Sequence, residues 1–298
     1  MSDGPIAFMG LSAGYGATRV LDDMSLSVQP GAVYAMLGRN GAGKTTAVRC
    51  LLGLARPSAG RALLFGRDAW SHRADAMARV GVVAEEPDAP PSMTADDLAR
   101  FAARLYPKFD RAAFDARLRR LGLPARTPFG RLSKGQKSLV ALALAVCAMV
   151  DVLVLDDPTL GLDAVARREL LAELVGSIAD RGTTTFITTH DLAGIEGIAS
   201  HVGILRDGRL VVNDDLEAVK ATFRHVRFGR DARVGEPDLG PFRTMSVKIG
   251  AFGIDAILGS YHEERFERWR QNAGLDVDVA AMSLEEIFAA VAAEGAAA

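Results

Sequence analysis

The chain has 298 residues, enough for a large core and about two domains' worth at roughly 150 residues each. Hydrophobic residues make up 49% and charged residues 24%, which excludes a disordered, collagen-like or acidic-tail protein. A net charge of −2 gives no bulk attraction to nucleic acid or an anionic membrane, so no nucleic-acid partner is expected. Cys50 and Cys147 lie in apolar helical stretches without metal-ligand spacing and read as buried reduced thiols, which fits a cytosolic compartment. The opening MSDGPIAFMG carries no secretory signal, and the longest apolar stretch, at 139–150, falls far short of the ~20 residues a bilayer requires, so the chain by itself is expected to be soluble.

In chain order, the runs IAFMGL, MSLSV, VYAML, RALLF, VGVV, DVLVLD, TTTFIT, HVGIL and RLVVN alternate with helical patterns up to about residue 215. That alternation predicts βαβ units and a largely parallel sheet. VYAML and DVLVLD are almost wholly apolar, as central strands covered on both faces are, whereas the early runs read as an antiparallel flank. Between Glu85 and Leu132 the strands stop. Thr94 with Asp97 forms a capping arrangement for a helix through Leu105, and Phe114, Leu118 and Leu121 repeat at helical spacing after an Asp110 cap. After about Phe223, the strand-like HVRF and MSVKI and a helix opened by the capping box of Ser283 predict a small α/β appendage. No internal repeat is present.

The strand VYAML runs into Gly38-Arg39-Asn40-Gly41-Ala42-Gly43-Lys44-Thr45-Thr46, which completes G-x-x-x-x-G-K-T at the start of a helical pattern. Glycines let the backbone wrap closely and aim N–H groups at phosphate oxygens; Lys44 reaches the β/γ-phosphates and Thr45 is placed to ligate Mg²⁺. The strand VLVL ends in Asp156 and Asp157, where Asp156 suits the metal and Asp157 suits the attacking water. Alone, Asp-Asp-Pro is an ordinary turn signal, and its weight comes from the phosphate loop before it. Leu132-Ser133-Lys134-Gly135-Gln136 precedes a long apolar helix, and in isolation would be a helix cap.

With these motifs in this order, residues from about 6 to 216 resemble the ATP-binding subunits of ABC transporters. The resemblance implies a P-loop NTPase of the ABC ATPase type, α/β, with a mixed β-sheet core, an antiparallel β-flank and a helical signature subdomain. The ATPase domain would span 1–222, its helical part about 86–150, and the appendage 223–298. It also implies that Ser133, Lys134, Gly135 and Gln136 form the signature that contacts nucleotide, with Lys134 standing at its usual first glycine. Tyr15 takes the place of the aromatic that stacks on adenine, residues 160–163 that of the D-loop, and His190 that of the switch histidine. Asp157 replaces the usual catalytic glutamate and is one methylene shorter. Glu85 replaces the usual Q-loop glutamine, adding a negative charge near the metal site while keeping an acceptor for metal-bound water. His72, His201, His225 and His262 show no ligand spacing.

The implied function is an ATP-binding, ATP-hydrolysing subunit with ATP and Mg²⁺ as its cofactors. It would act as a homodimer or a heterodimer with a paralogue, and would power a separate transmembrane permease from the cytoplasmic face. The stretch from 85 to 110 and the closing SLEEIF look most like exporter-type subunits, including those for antibiotics or multiple drugs. Two other classes fit part of the pattern. A soluble ABC ATPase of translation or DNA repair would carry two cassettes or a long coiled-coil insertion. A P-loop kinase would share the cradle without L-S-K-G-Q, the 160–163 loop and His190 together.

Overall fold

The computed structural model describes residues 4–229, 239, 242–249, 253–273 and 276–294. The chain divides into two units, Met1–Asn213 and Asp214–Ala298. The division falls before the boundary expected at 222, because the helix at Leu216–Thr222 belongs with the second unit: the Tyr261 amide donates to Thr222 O at 2.8 Å.

The first unit starts with strands β1 (Ile6–Tyr15), β2 (Thr18–Val28), β3 (Val33–Gly38), β4 (Ala59–Leu64) and β5 (Arg67–Asp68), with helix α1 (Lys44–Leu51) between β3 and β4. Helix α2 (Arg73–Met77) and strand β6 (Val80–Val83) follow, then helices α3 (Ala95–Leu105), α4 (Arg111–Arg120) and α5 (Lys134–Cys147). Next come β7 (Val152–Asp156), α6 (Ala164–Arg181), β8 (Thr184–Thr189), α7 (Leu192–Glu196), β9 (His201–Arg206) and β10 (Arg209–Asp215). Two sheets result, β2-β1-β4-β5 and β10-β9-β3-β8-β7-β6. The first is antiparallel at every pair, which is the flank expected from its mixed apolar and polar runs.

In the second sheet β6, β7, β8, β3 and β9 run parallel. Every residue of β3, β7 and β8 is buried, as strands covered on both faces must be. The register pairs Leu37 with Thr189 and Asp156 with Thr188, so the ends of β3, β7 and β8 reach the same carboxyl edge. At Asp207 and Gly208, φ values of 50° and 77° make the two-residue turn that folds β10 back on β9.

The helical interruption forms as its caps dictate. Thr94 and Asp97 make a reciprocal capping box at α3, and Asp110 accepts from Ala113 N at 2.8 Å to open α4. Phe114 and Leu118 carry the buried face of α4. Among the described residues, no helix is long and apolar enough to cross a membrane, and both cysteines are buried.

The second unit holds α8 (Leu216–Thr222), β11 (Arg224–Gly229), β12 (Arg243–Ile249), β13 (Gly253–Gly259), α9 (Glu263–Ala273), β14 (Val277–Ala281) and α10 (Leu284–Ala293). Its antiparallel sheet has the order β12-β13-β11-β14, and Val226, Phe228, Ile254, Ala256 and Leu258 form a core with Phe266. The expected strands HVRF and MSVKI and the Ser283-capped helix are there; β13, α9 and β14 add to them.

Flank and sheet of the first unit are locked through Phe186, which stacks on Tyr34 at 5.6 Å between ring centroids and meets Phe8 at 5.9 Å. Burial pushes the Tyr34 phenol pKa well above its ordinary value, and its hydroxyl donates to Asn213 Oδ1 at 2.7 Å. A Cβ on Gly203 would lie 2.0 Å from that hydroxyl, so glycine is what admits the ring. Tyr34→Phe should therefore destabilise the first unit by about 0.5–1.5 kcal/mol by removing this hydrogen bond, measured as a lower urea midpoint at unchanged slope.

Candidate nucleotide site

The loop between β3 and α1 is shaped by backbone that only glycine adopts readily. Gly41 and Gly43 have φ of 83° and 112°, and a Cβ on Gly43 would lie 2.7 Å from Leu21 Cδ2. Arg39, Asn40 and Gly41 are exposed while Ala42 and Gly43 are buried, so the loop presents one rim and anchors the other. No side chain caps α1, and its first turn carries no acid, which leaves the first amides and the positive end of the helix for an anion.

Lys44 is only 7% exposed, and its Nζ donates to Gly38 O at 2.7 Å and to Arg39 O at 3.5 Å. Burial lowers its pKa from the ordinary value, against the opposing pull of Asp157, Asp156 and Glu85. Thus the ammonium feels three carboxylates that the sequence places at separate points of the chain. Thr46 is buried behind the loop, while Thr45 faces the edge of the sheet and donates to Asp156 Oδ1 at 3.4 Å.

The end of β7 brings the two acids together. Asp156 Oδ1 also accepts from Thr188 Oγ1 at 2.6 Å, and the Asp157 amide donates to both the carbonyl and the hydroxyl of Thr188, at 2.9 and 3.1 Å. Asp157 turns the chain with a φ of 45°, a left-handed value that costs a non-glycine residue and is held here by those bonds. Its two carboxylate oxygens lie 2.7 and 2.9 Å from His190 Nδ1. A carboxylate only accepts, so Nδ1 carries the proton of this bond and Nε2 points elsewhere. The hydroxyl and carboxylate of Thr45 and Asp156 are hard oxygen donors of the kind Mg²⁺ takes. Among the described residues no three His, Cys, Asp or Glu side chains gather as a metal cluster, so further positions around such an ion would fall to phosphate and water.

Tyr15 ends β1 with its ring half exposed beside α1, where its hydroxyl accepts from Arg49 Nη1 at 3.1 Å. Hydrogen bonds from Thr46 and Arg49 lower its phenol pKa. Ser133 caps α5 in a full box: Gln136 N donates to its hydroxyl at 3.2 Å and Ser133 N donates to Gln136 Oε1 at 3.0 Å. Among the described residues, no hydrogen bond or ion pair joins the 133–136 turn to the phosphate loop. Asp163 caps α6 by accepting from Val165 N and Ala166 N, both at 2.9 Å.

The sequence reading missed Thr188. Its signal was a threonine in a wholly buried strand, two residues before His190, where a hydroxyl needs a polar partner.

A phosphate loop at the carboxyl edge of a parallel sheet, its threonine bonded to a strand-end aspartate, defines a P-loop nucleotide-binding protein. A family model described as ABC transporter matches residues 21–160. The bacitracin transport ATP-binding protein BcrA of Bacillus licheniformis is 35% identical over 200 residues, which cover 66% of this chain and 65% of that protein. The Nod factor export ATP-binding protein I of Burkholderia thailandensis is 37% identical over 219 residues, 71% of each chain. The ABC transporter ATP-binding protein YtrB of Bacillus subtilis is 31% identical over 280 residues, 94% of this chain and 95% of that one. Of solved structures, an ATP-binding subunit of an ABC transporter matches with a TM-score of 0.65 and 28% identity over 72% of this chain and 91% of that chain. The cbiO1 protein of Clostridium perfringens, part of the complex cbiONQ, matches with a TM-score of 0.61 and 28% identity over 73% and 90%. The chain belongs to the ATP-binding proteins of ABC transporters, and its nucleotide is ATP.

Thr188→Val should lower ATP turnover about tenfold or more while changing ATP affinity little, because it removes the hydroxyl that donates to Asp156 and accepts from the Asp157 amide, which then keeps only the carbonyl of residue 188, without touching the loop that grips phosphate. Steady-state kinetics beside equilibrium nucleotide binding decide this; equal turnover in the variant would remove Thr188 from the site.

Proposed function

We propose that the chain is the ATPase subunit of an exporter, working as a dimer on a separate membrane permease and held by it at the inner face of the membrane. The observation that carries the catalytic part is Asp157 bonded through both oxygens to His190, beside the Thr45–Asp156 pair. The loop 38–46 grips the polyphosphate, with Lys44 leaving its own loop carbonyls for the β/γ-phosphates, and Tyr15 offers its half-exposed ring to the adenine. Thr45 and Asp156 would hold Mg²⁺, with the Glu85 carboxylate as a further acceptor on the side of Lys44. When bound, that ion neutralises charge on the β- and γ-phosphate oxygens. Asp157 orients the attacking water and takes its proton, and His190, held by Asp157, faces the γ-phosphate. Ser133, Lys134, Gly135 and Gln136 complete the site of the opposing subunit. Support for that comes from the absence of any bond between that turn and its own loop among the described residues, and from one signature per chain.

The export reading draws on relatives named for bacitracin transport and Nod factor export. A separate permease accords with cbiO1, which is part of a multi-component transporter complex. The docking surface we assign is an apolar groove of about 300 Å³ next to Glu85, lined by Val82, Ala84, Leu98, Phe101, Leu105 and Tyr106. Phe101 and Leu105 are each 54% exposed, an unusual cost for large side chains on a helix and one that an apolar segment of a permease would remove.

Asp157 is short for its task. An error of ~1 Å in placing the water costs about a hundredfold in rate, and one missing methylene is on that scale. Asp157→Glu should therefore hydrolyse ATP faster than the parent, while Asp157→Asn should be inactive with ATP still bound. Unchanged turnover in the Asn variant would show that this carboxylate is not catalytic. For the partner, Phe101→Asp should abolish copurification of an integral membrane protein from detergent-solubilised membranes and leave ATP affinity intact. Full recovery of that protein by the variant would move the docking site elsewhere.

A further inference from the structure

The 133–136 turn and the 160–163 loop meet along one seam. A Cβ placed on Gly161 would lie 3.0 Å from Lys134 Nζ, 3.6 Å from its Cε and 3.7 Å from its Cδ, so the lysine side chain runs flat over that glycine. Next to it, a Cβ on Gly135 would lie 2.7 Å from Ala166 Cβ, closer than packed carbons come, which fixes how tightly α5 enters against α6. Gly161 has a φ of 71°, so the lysine covers a stretch of backbone with no side chain of its own and with the freedom of glycine.

Further along, α4 bridges the same two helices. Glu173 of α6 accepts from Arg117 Nε of α4 at 3.2 Å and also pairs with Arg120, and Arg117 Nη1 lies 3.9 Å from Cys147 Sγ at the end of α5. The Glu173 and Arg117 side chains are 10% and 15% exposed, which shields the pair from salt. Lys134 itself is badly placed for a helix: it is the first residue of α5, where the dipole opposes a cation, and no acid stands in that first turn. Among the described residues it makes no ion pair. The contact that the side chain does make is with the loop.

We propose that Lys134 is a positioning residue that ties the 133–136 turn to the 160–163 loop of its own chain, so that both move as one body with α5 and α6. The proposal rests on the dimer reading above, in which the turn and the loop face the opposing subunit. The packed stem of Lys134 restricts a glycine-hinged loop before closure, which lowers the ordering cost of closure. The cradle for ATP lies on other segments and is untouched by it.

Hydrogen exchange of the amides at 159–163, measured on the nucleotide-free full chain, reads the tie directly. Lys134→Gly should speed their exchange about three- to tenfold, and Lys134→Met, whose unbranched stem has similar reach without charge, should keep it within about twofold of the parent. Unchanged exchange in Lys134→Gly, or equal release in the Gly and Met variants, overturns the tie. The dimer reading is judged separately by the parent's ATPase rate per subunit against protein concentration. A rate independent of concentration overturns that reading, while the exchange measurement still decides the tie.

Discussion

The pairing of β7 with β8 is the constraint on which the site depends. Parallel register sets Asp156 opposite Thr188, and one hydroxyl then serves both acids: it donates to the Asp156 carboxylate and accepts from the Asp157 amide. A carboxylate as buried as Asp156 needs such a donor, since leaving it unpaired would cost several kcal/mol or neutralise it. Because the bond is made by strand register and not by a mobile loop, the same step that builds the sheet aims Asp156 at Thr45 and leaves Asp157 against His190. Sheet formation and site assembly are therefore one event.

Much of this was legible because it depends on local rules. The nine strand-like runs became strands, and the wholly apolar ones were separated from the flank by what two covered faces require. The caps at Thr94, Asp110, Ser133 and Ser283 formed where short polar side chains preceded helical periods. The phosphate loop was legible because glycine at 41 and 43 is a backbone requirement as well as a motif. What escaped depends on contacts far apart in sequence. β8 lies between β3 and β7 although it follows both in the chain, and no periodicity reveals such a crossover. Thr188 looked like any β-branched strand residue until register turned its hydroxyl to Asp156. In the second unit, α9 is mostly charged, with Phe266 and Trp269 as its packing residues, and β13 carries Asp255 amid its apolar alternation; both patterns are too thin to stand out.

The departures from the family pattern at 85, 134 and 157 each alter charge or reach, at 85 and 157 on the side of Lys44 and at 134 on the turn that lies over Gly161. Asp157 draws its carboxylate back by one methylene, and it is found fully engaged with His190 instead of reaching outward. Lys134 exchanges a flexible position for a long stem that covers Gly161. Both side chains are held within one chain, Asp157 by His190 and Lys134 over Gly161.

Glu85 acts on the same balance from the other side. Three carboxylates, at 85, 156 and 157, oppose the effect of burial on one ammonium, and together they outnumber it in charge. A polyphosphate entering that edge meets three carboxylates against one ammonium, so Lys44, the helix terminus and the loop amides together would have to overcome the repulsion in a partly desolvated setting. A divalent cation arriving with the nucleotide removes most of that penalty, and the hard oxygens of Thr45 and Asp156 stand where its charge would count most. In the proposed site, glutamine at 85 would make the requirement milder, and Glu85 would link the affinity for nucleotide more strongly to the cation.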